Sequence, residues 1–405
     1  MSRKAGRIEV LAWCLYDFAD SSFTTLIVTV AYGLYFRTVV AAELGTGADL
    51  YWGICIASSM LIVAVLSPLL GAIADASGRK KTFLALCAAT SIVFTGLLMA
   101  VERGDIAAGM LLFVVANIGY EAAHVFYNGF LPEIADEGEL GRVSGYGWAT
   151  GYLGGLAALL LTYPLTSSGM GPEAGSSYRL SFGVVSLFFL VFTLPILLLL
   201  RERAVPSPLI AGGRAREGFR RLLATLRELR RLRDLFRYLI AFIIYNDGVT
   251  TVIAFSAIYA MHVIGFSMSQ VMSLFITTQL TALVGAVGAG HLVDRLGARP
   301  TITLTLLLWC GVVAGAFLVE SVPGFYAVGI GASIGMGSTQ TASRSLMGLL
   351  IPPGRSAEFF GLYALTGKVS AVLGPLLYGG VAALAGSERA AVLSLALFFV
   401  AGLLI

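Results

Sequence analysis

The chain has 405 residues, 58% of them hydrophobic and only 12% charged, with a formal net charge of +4 and a mean hydropathy of +0.87. Soluble domains run to about 45–50% apolar and about 25% charged, so this composition excludes an ordinary soluble enzyme. The basic excess is confined to one segment, and nothing beyond that charge supports a nucleic-acid partner.

About 20 apolar residues cross a bilayer, and runs of that kind read as twelve helical spans at 10–37, 51–74, 82–101, 106–131, 145–166, 179–200, 238–263, 268–293, 300–319, 323–351, 359–384 and 388–405. Each run is continuously apolar rather than alternating, and lipid satisfies no open backbone group, so helices are the element that fits. The expected fold is an all-α membrane protein with twelve transmembrane helices in two six-helix pseudo-repeats. The first run lacks the short apolar core and small-residue cleavage site of a signal peptide, and it is expected to be retained.

Basic residues set the orientation. Arg3, Lys4 and Arg7 precede span one, Arg79, Lys80 and Lys81 follow span two, and Arg295 and Arg299 follow span eight. That face is expected to be cytoplasmic, with both termini inside and, in a bacterium, the plasma (inner) membrane as the location. The domain reading is a bundle at 1–200, a linker at 201–237 and a second bundle at 238–405. The linker holds eleven arginines against four acids, a net of +7. Phe219, Leu222, Leu223, Leu226, Leu229, Leu232 and Leu235 recur there at helical spacing. The expectation is a tether carrying an amphipathic helix on the anionic inner surface. Cys14, Cys55, Cys87 and Cys310 lie singly in apolar runs and read as small buried hydrophobes.

Two copies of one pattern organise the chain: Gly71-xxx-Asp75-xx-Gly78-x-Lys80 and Gly290-xxx-Asp294-xx-Gly297-x-Arg299. A glycine, an acid, a glycine and a base suit a tight polar turn between two helices that pack closely at their ends. Gly71, Asp75, Gly78, Arg79, Gly290, Asp294, Arg295 and Arg299 are therefore assigned to conformation rather than chemistry. Thr150-Gly151-Tyr152 and Thr366-Gly367-Lys368 repeat at a similar offset, as do Pro132 and Pro352. Two halves in parallel repeat, with a solute path near the midplane, are the expected consequence.

The duplicated loop motif, the six-plus-six count and the basic central segment resemble the major facilitator superfamily. Within it, Leu15-Tyr16-Asp17-Phe18-Ala19-Asp20-Ser21-Ser22-Phe23, Tyr245-Asn246-Asp247-Gly248-Val249, Ser343-Arg344-Ser345-Leu346 and Glu358-Phe359-Phe360-Gly361-Leu362-Tyr363 are similar to the branch named for the fungal autophagy-related vacuolar effluxer. Fungal members of that branch are implicated in releasing amino acids from the vacuole. The resemblance implies that spans one, four, seven and ten line a central cavity. One departure is Ala76 after Asp75, where many superfamily members have arginine and the second copy keeps Arg295; the first loop is expected to clamp its helices less tightly.

A charge at the bilayer centre costs about 2.5–3.5 kcal/mol on insertion scales, so each one in a span needs a reason. Asp17 and Asp20 lie in span one, Glu121 and His124 in span four, Asp247 in span seven, Arg344 in span ten and Lys368 in span eleven. At 1.5 Å per residue, Asp20, Glu121, Asp247 and Lys368 fall about 14–20 Å from the inner ends of their spans. With Asn246 and Gln340 these are the candidate substrate-binding or proton-coupling residues. Arg344 and Lys368 suit a carboxylate, while Asp20, Glu121 or Asp247 suit an ammonium or a coupling proton. A zwitterionic, amino-acid-like solute is one reading. The other is a gate in which Asp17 or Asp247 pairs with Arg344.

Several strings mimic chemistry. Gly331-Ala332-Ser333-Ile334-Gly335 matches GxSxG but lacks the preceding strand; the glycines there, like Gly147, Gly151 and Gly155, are expected to let helices approach. Glu121 and His124, even with Asp20, offer too few ligands for a closed metal site, so no metal and no cofactor are expected. No phosphate-cradling motif appears. The expected protein is a monomeric secondary transporter moving a small-molecule solute by alternating access, with protons and membrane lipids as its other partners and no enzymatic activity. A lipid or lysolipid flippase of the same fold and a non-transporting solute sensor are the alternatives.

Overall fold

A computed structural model describes residues 5–45, 47–167, 174–203, 220, 223–225, 227–229 and 231–405. Among the described residues every regular element is helical. The long segments are α1 (Arg7–Val40), α2 (Gly47–Ser77), α3 (Lys80–Ala100), α4 (Ile106–Ile134), α5 (Leu140–Thr166), α6 (Ala174–Leu199), α7 (Arg233–His262), α8 (Met268–Leu296), α9 (Ala298–Leu318), α10 (Val322–Leu350), α11 (Ser356–Ala385) and α12 (388–404). Nine of the described helices are long and apolar enough to cross a membrane by length and composition. Large apolar side chains on them point outward: Leu384 is 92% exposed and Leu198 74%. A water-soluble protein avoids broad apolar surface; lipid is the solvent that suits it. Most of the expected linker and its amphipathic helix lie outside the described residues.

Two departures from regular α-helix lie beside the buried charges. After Ser22, α1 widens into a π-helical stretch over Phe23–Val30, closed by the i→i+5 bond in which Ala31 N donates to Leu26 O at 2.6 Å. Such bulges gather at functional sites, and this one begins directly beyond Asp20. In α11 the helix stops at Val369 and restarts at Leu373, so backbone groups are released inside a span and need partners.

The described residues form two compact units. The first draws on Met1–Ile134, Thr150–Arg220 and Gly354–Gly361; the second on Ala135–Ala149, Arg221–Pro353 and Leu362–Ile405. In the first, α1 packs on α6 through Phe18 against Phe188 and Phe192, with ring centroids at 5.2 and 4.8 Å. It meets α4 through Trp13 stacked on Tyr127 at 4.4 Å. The approach of α5 to α1 needs a bare Cα, because a Cβ on Gly154 would strike the Phe18 carbonyl. In the second unit Gly337 on α10 does the same against the Ala282 carbonyl of α8. Ser333 of the GxSxG string lies inside α10, its hydroxyl donating to Gly329 O at 2.8 Å and sharing a 2.6 Å bond with the Thr281 hydroxyl. It is a helix-packing serine, as the missing strand implied.

The repeated motif is built the same way in each unit. In the first, the Asp75 carboxylate accepts from Glu358 N at 2.8 Å, in the opening turn of α11. Gly71 lies so close that a Cβ there would meet Ala357 O. In the second, Asp294 accepts from Gly141 N at 2.8 Å, Arg142 N at 3.2 Å and Arg142 Nε at 2.7 Å, in the opening turn of α5. Gly290 sits against the same turn. Each motif acid thus neutralises the free N–H groups and positive dipole end of a helix drawn from the other sequence half. Gly78 and Gly297 hold φ of 63° and 95°, where glycine is favoured.

The bases correct the sequence reading. Arg79 and Arg295 are exposed, and Arg299 makes a solvent-exposed pair with Asp234 at 3.2 Å. Lys80 instead is 1% exposed, 3.6 Å from Asp75 Oδ1, ion-paired with Glu133 and donating to Ser356 Oγ at 2.7 Å. The copy with Ala76, expected to be the looser, carries the more deeply buried ion cluster.

Candidate functional site

Asp17 and Asp20 stand three residues apart on α1 and so share one face. Both are buried, at 3% and 1% exposure. His124, one face of α4 above Tyr127 and Tyr120, is turned toward them. Its Nε2 is 3.2 Å from Asp20 Oδ2, and its Nδ1 is 3.3 Å from Tyr120 O. One ligand atom from each of Asp17, Asp20 and His124 lies within 4.8 Å of the others. The Tyr127 hydroxyl donates to Asp17 Oδ2 at 2.7 Å, fixing that carboxylate, and Thr24 bonds the Tyr120 hydroxyl just below. Behind them the Tyr16 ring stacks on Tyr127 at 5.0 Å.

The imidazole is informative. Both of its ring nitrogens face oxygen, and a neutral imidazole has only one N–H to give. A proton or a metal ion between Nε2 and the Asp20 carboxylate would suit that geometry, and two buried carboxylates and one imidazole are brought within reach of one another. Glu121 stands half-buried one turn before His124 on α4, and the acids brought within reach of the imidazole in this group are Asp17 and Asp20.

The second unit handles its predicted residues differently. Asp247 does not sit as a free ligand; its two oxygens accept from Leu373 N at 3.0 Å and Gly374 N at 2.8 Å. It caps the restarted half of α11. Asn246 beside it donates to Ser370 Oγ at 2.5 Å, in the break itself. Arg344, 2% exposed, donates through Nε to Ser144 Oγ at 3.0 Å and through Nη2 to Ser144 O at 2.6 Å, with its guanidinium 5.0 Å from the Trp148 ring. Asp247 thus lies on a helix end, and Arg344 on the Ser144 carbonyl and hydroxyl. Gln340 is half-buried on α10, and Lys368 is half-buried in the last turn before the α11 break.

Comparison with known proteins gives these features a family. The profile described as "Vacuole effluxer Atg22 like" matches residues 51–405. An uncharacterized MFS-type transporter of Bacillus subtilis is 30% identical over 97% of this chain and 93% of its own length. The chain belongs to the Atg22-like family of major facilitator superfamily transporters. Autophagy-related protein 22 of Pichia angusta is 24% identical over 79% of this chain and 68% of its own. The E. coli fucose:proton symporter superposes with a TM-score of 0.76 at 15% identity, over 98% of this chain and 96% of that one; it shares the twelve-helix, two-repeat fold. This Atg22-like chain is accordingly an integral, multi-pass membrane protein. The profile match begins after α1, whereas the bacterial relative aligns across nearly the whole chain, the Asp17–Asp20 helix included in its span.

Sequence reasoning missed Lys80, Glu133, Ser144, Tyr127 and Ser370. For Lys80 the signal was present, as the base two places after Gly78 in a motif whose spacing repeats. For Tyr127 it was the i, i+3 spacing from His124. Ser144 and Ser370 carry no sequence mark.

Proposed function

We propose that this family member is a secondary active transporter that moves a small polar, amino-acid-like solute by alternating access, driven by the proton gradient, with both termini on the cytoplasmic side. The observation that carries the reading is the buried Asp17–Asp20–His124 group across two membrane-crossing helices, since ionisable residues inside a span are functional by default. The excess of acid over base on α1 and α4 favours a solute bearing a cationic group. The family description as a vacuole effluxer supports solute movement as the activity. Arg344 and Lys368 are the bases proposed for a solute carboxylate.

Glu121 is proposed as the proton carrier. Glu121→Gln is expected to abolish solute accumulation driven by a pH gradient in proteoliposomes while leaving counterflow, which needs only solute exchange, close to the wild-type rate. Accumulation that survives the substitution removes Glu121 from the coupling step.

A further inference from the structure

We propose that Asp17, Asp20 and His124 form a binding site for a divalent transition-metal ion of the Mn²⁺, Fe²⁺, Co²⁺ or Zn²⁺ class. The inference deepens, and rests on, the reading of this group as a cation-binding element of a transporter. Carboxylate and imidazole ligands stand about 2.0–2.2 Å from such an ion, which sets neighbouring ligand atoms about 3–4 Å apart. Asp20 Oδ2 and His124 Nε2 already stand 3.2 Å apart, and the whole set falls within 4.8 Å.

The surroundings fit a metal in three further ways. Metal-bound histidines give their second ring N–H to a carbonyl or carboxylate, and their carboxylate neighbours are themselves hydrogen-bonded. His124 Nδ1 faces Tyr120 O at 3.3 Å and Asp17 is held by the Tyr127 hydroxyl at 2.7 Å. With Nδ1 carrying the proton, Nε2 offers its lone pair toward Asp20, a repulsive arrangement until a cation sits between them. Second, the Tyr16 hydroxyl is fully buried without a hydrogen-bond partner, and its i, i+4 spacing puts Tyr16 on the Asp20 face of α1. Third, two carboxylates balance a 2+ ion, which removes the cost of two neighbouring buried negative charges.

The imidazole selects the class: Mg²⁺ and Ca²⁺ favour oxygen-only sites, whereas imidazole with carboxylate suits the later first-row ions. Three protein ligands leave coordination positions open. An ion held this way exchanges, as a transported or co-transported ion must.

The test is Co²⁺ and Mn²⁺ binding to the purified full-length protein in detergent, read by visible d–d absorption and by loss of free Mn²⁺ EPR signal. One saturable ion per chain is expected, displaced by Zn²⁺ and not by excess Mg²⁺. Asp20→Asn and His124→Gln should each weaken binding at least tenfold, and Tyr127→Phe by less. Asp17→Asn supplies the same reading if either variant elutes as aggregate. Absence of saturable binding, binding untouched by these substitutions, or equal displacement by Mg²⁺ overturns the site. No saturable ion binding by the parent protein, with its solute uptake intact, overturns the metal site alone. Ion binding without uptake of any solute overturns the transport reading and leaves the site.

Discussion

Replacing Lys80 by methionine is expected to destabilise the protein by about 3–5 kcal/mol, the usual consequence of removing one partner from a buried ion pair. Lys80 is 1% exposed and is the shared counter-ion of Asp75 and Glu133. Methionine fills the same volume but leaves both acids facing low-dielectric surroundings. Asp75 also holds the first turn of α11 through Glu358 N, so the loss reaches a second helix. Combining Lys80→Met with Asp75→Asn should recover part of the stability, because the stranded charge is removed while an acceptor for Glu358 N remains. Arg79→Met, at the exposed neighbouring base, should stay within about 0.5 kcal/mol of the parent. Thermal unfolding in one detergent reads all four proteins. Equal melting of Lys80→Met and Arg79→Met would remove the buried cluster from the account.

Asp247→Ala is the second large effect. A carboxylate that accepts two backbone N–H groups at 3.0 and 2.8 Å supplies two charge-assisted bonds, each worth about 1.5–3 kcal/mol. Alanine leaves both donors of the restarted α11 without a partner inside a membrane-crossing segment, where water does not replace it. The expected loss is about 3 kcal/mol or more, against roughly half of that for Asp247→Asn, which keeps one carbonyl acceptor. Gly374→Ala should resemble the alanine variant, since a Cβ there would meet Asp247 Oδ1 and the Thr251 hydroxyl. Protease sensitivity of α11 and thermal unfolding report the effect; identical behaviour of the Ala and Asn variants would show that the carboxylate does not hold the half-helix.

These two sites show how far residues alone could be read. Continuous apolar runs reveal spans because lipid forbids open backbone, and a motif repeated at constant spacing reveals a pseudo-repeat. Asp75 and Asp294 were legible as helix-end residues, since an acid between two glycines has little other use there. Their partners were not, because Glu358 and Gly141 come from distant turns that no local pattern links to the motif. Asp17, Asp20 and His124 were legible as charges needing a reason, while their convergence depends on the angle at which α1 meets α4, set by Trp13 stacking on Tyr127. Asp247 was read as a ligand although Gly374-Pro375, in the first turn of the restarted half of α11, marks the break whose free N–H groups it accepts. Arg344 was legible as a buried charge, but the Ser144 carbonyl and the Trp148 ring that it meets carry no sequence mark.

The central claim is that this chain moves a polar solute across a membrane against its gradient. Uptake of a labelled amino-acid mixture into proteoliposomes carrying the purified protein, under an imposed proton gradient, tests it directly. Accumulation above that in protein-free liposomes, abolished by a protonophore and strongly reduced by Asp20→Asn, is the predicted result. Uptake no greater than in protein-free liposomes, together with movement of labelled lysolipid between leaflets by the same preparation, would contradict it.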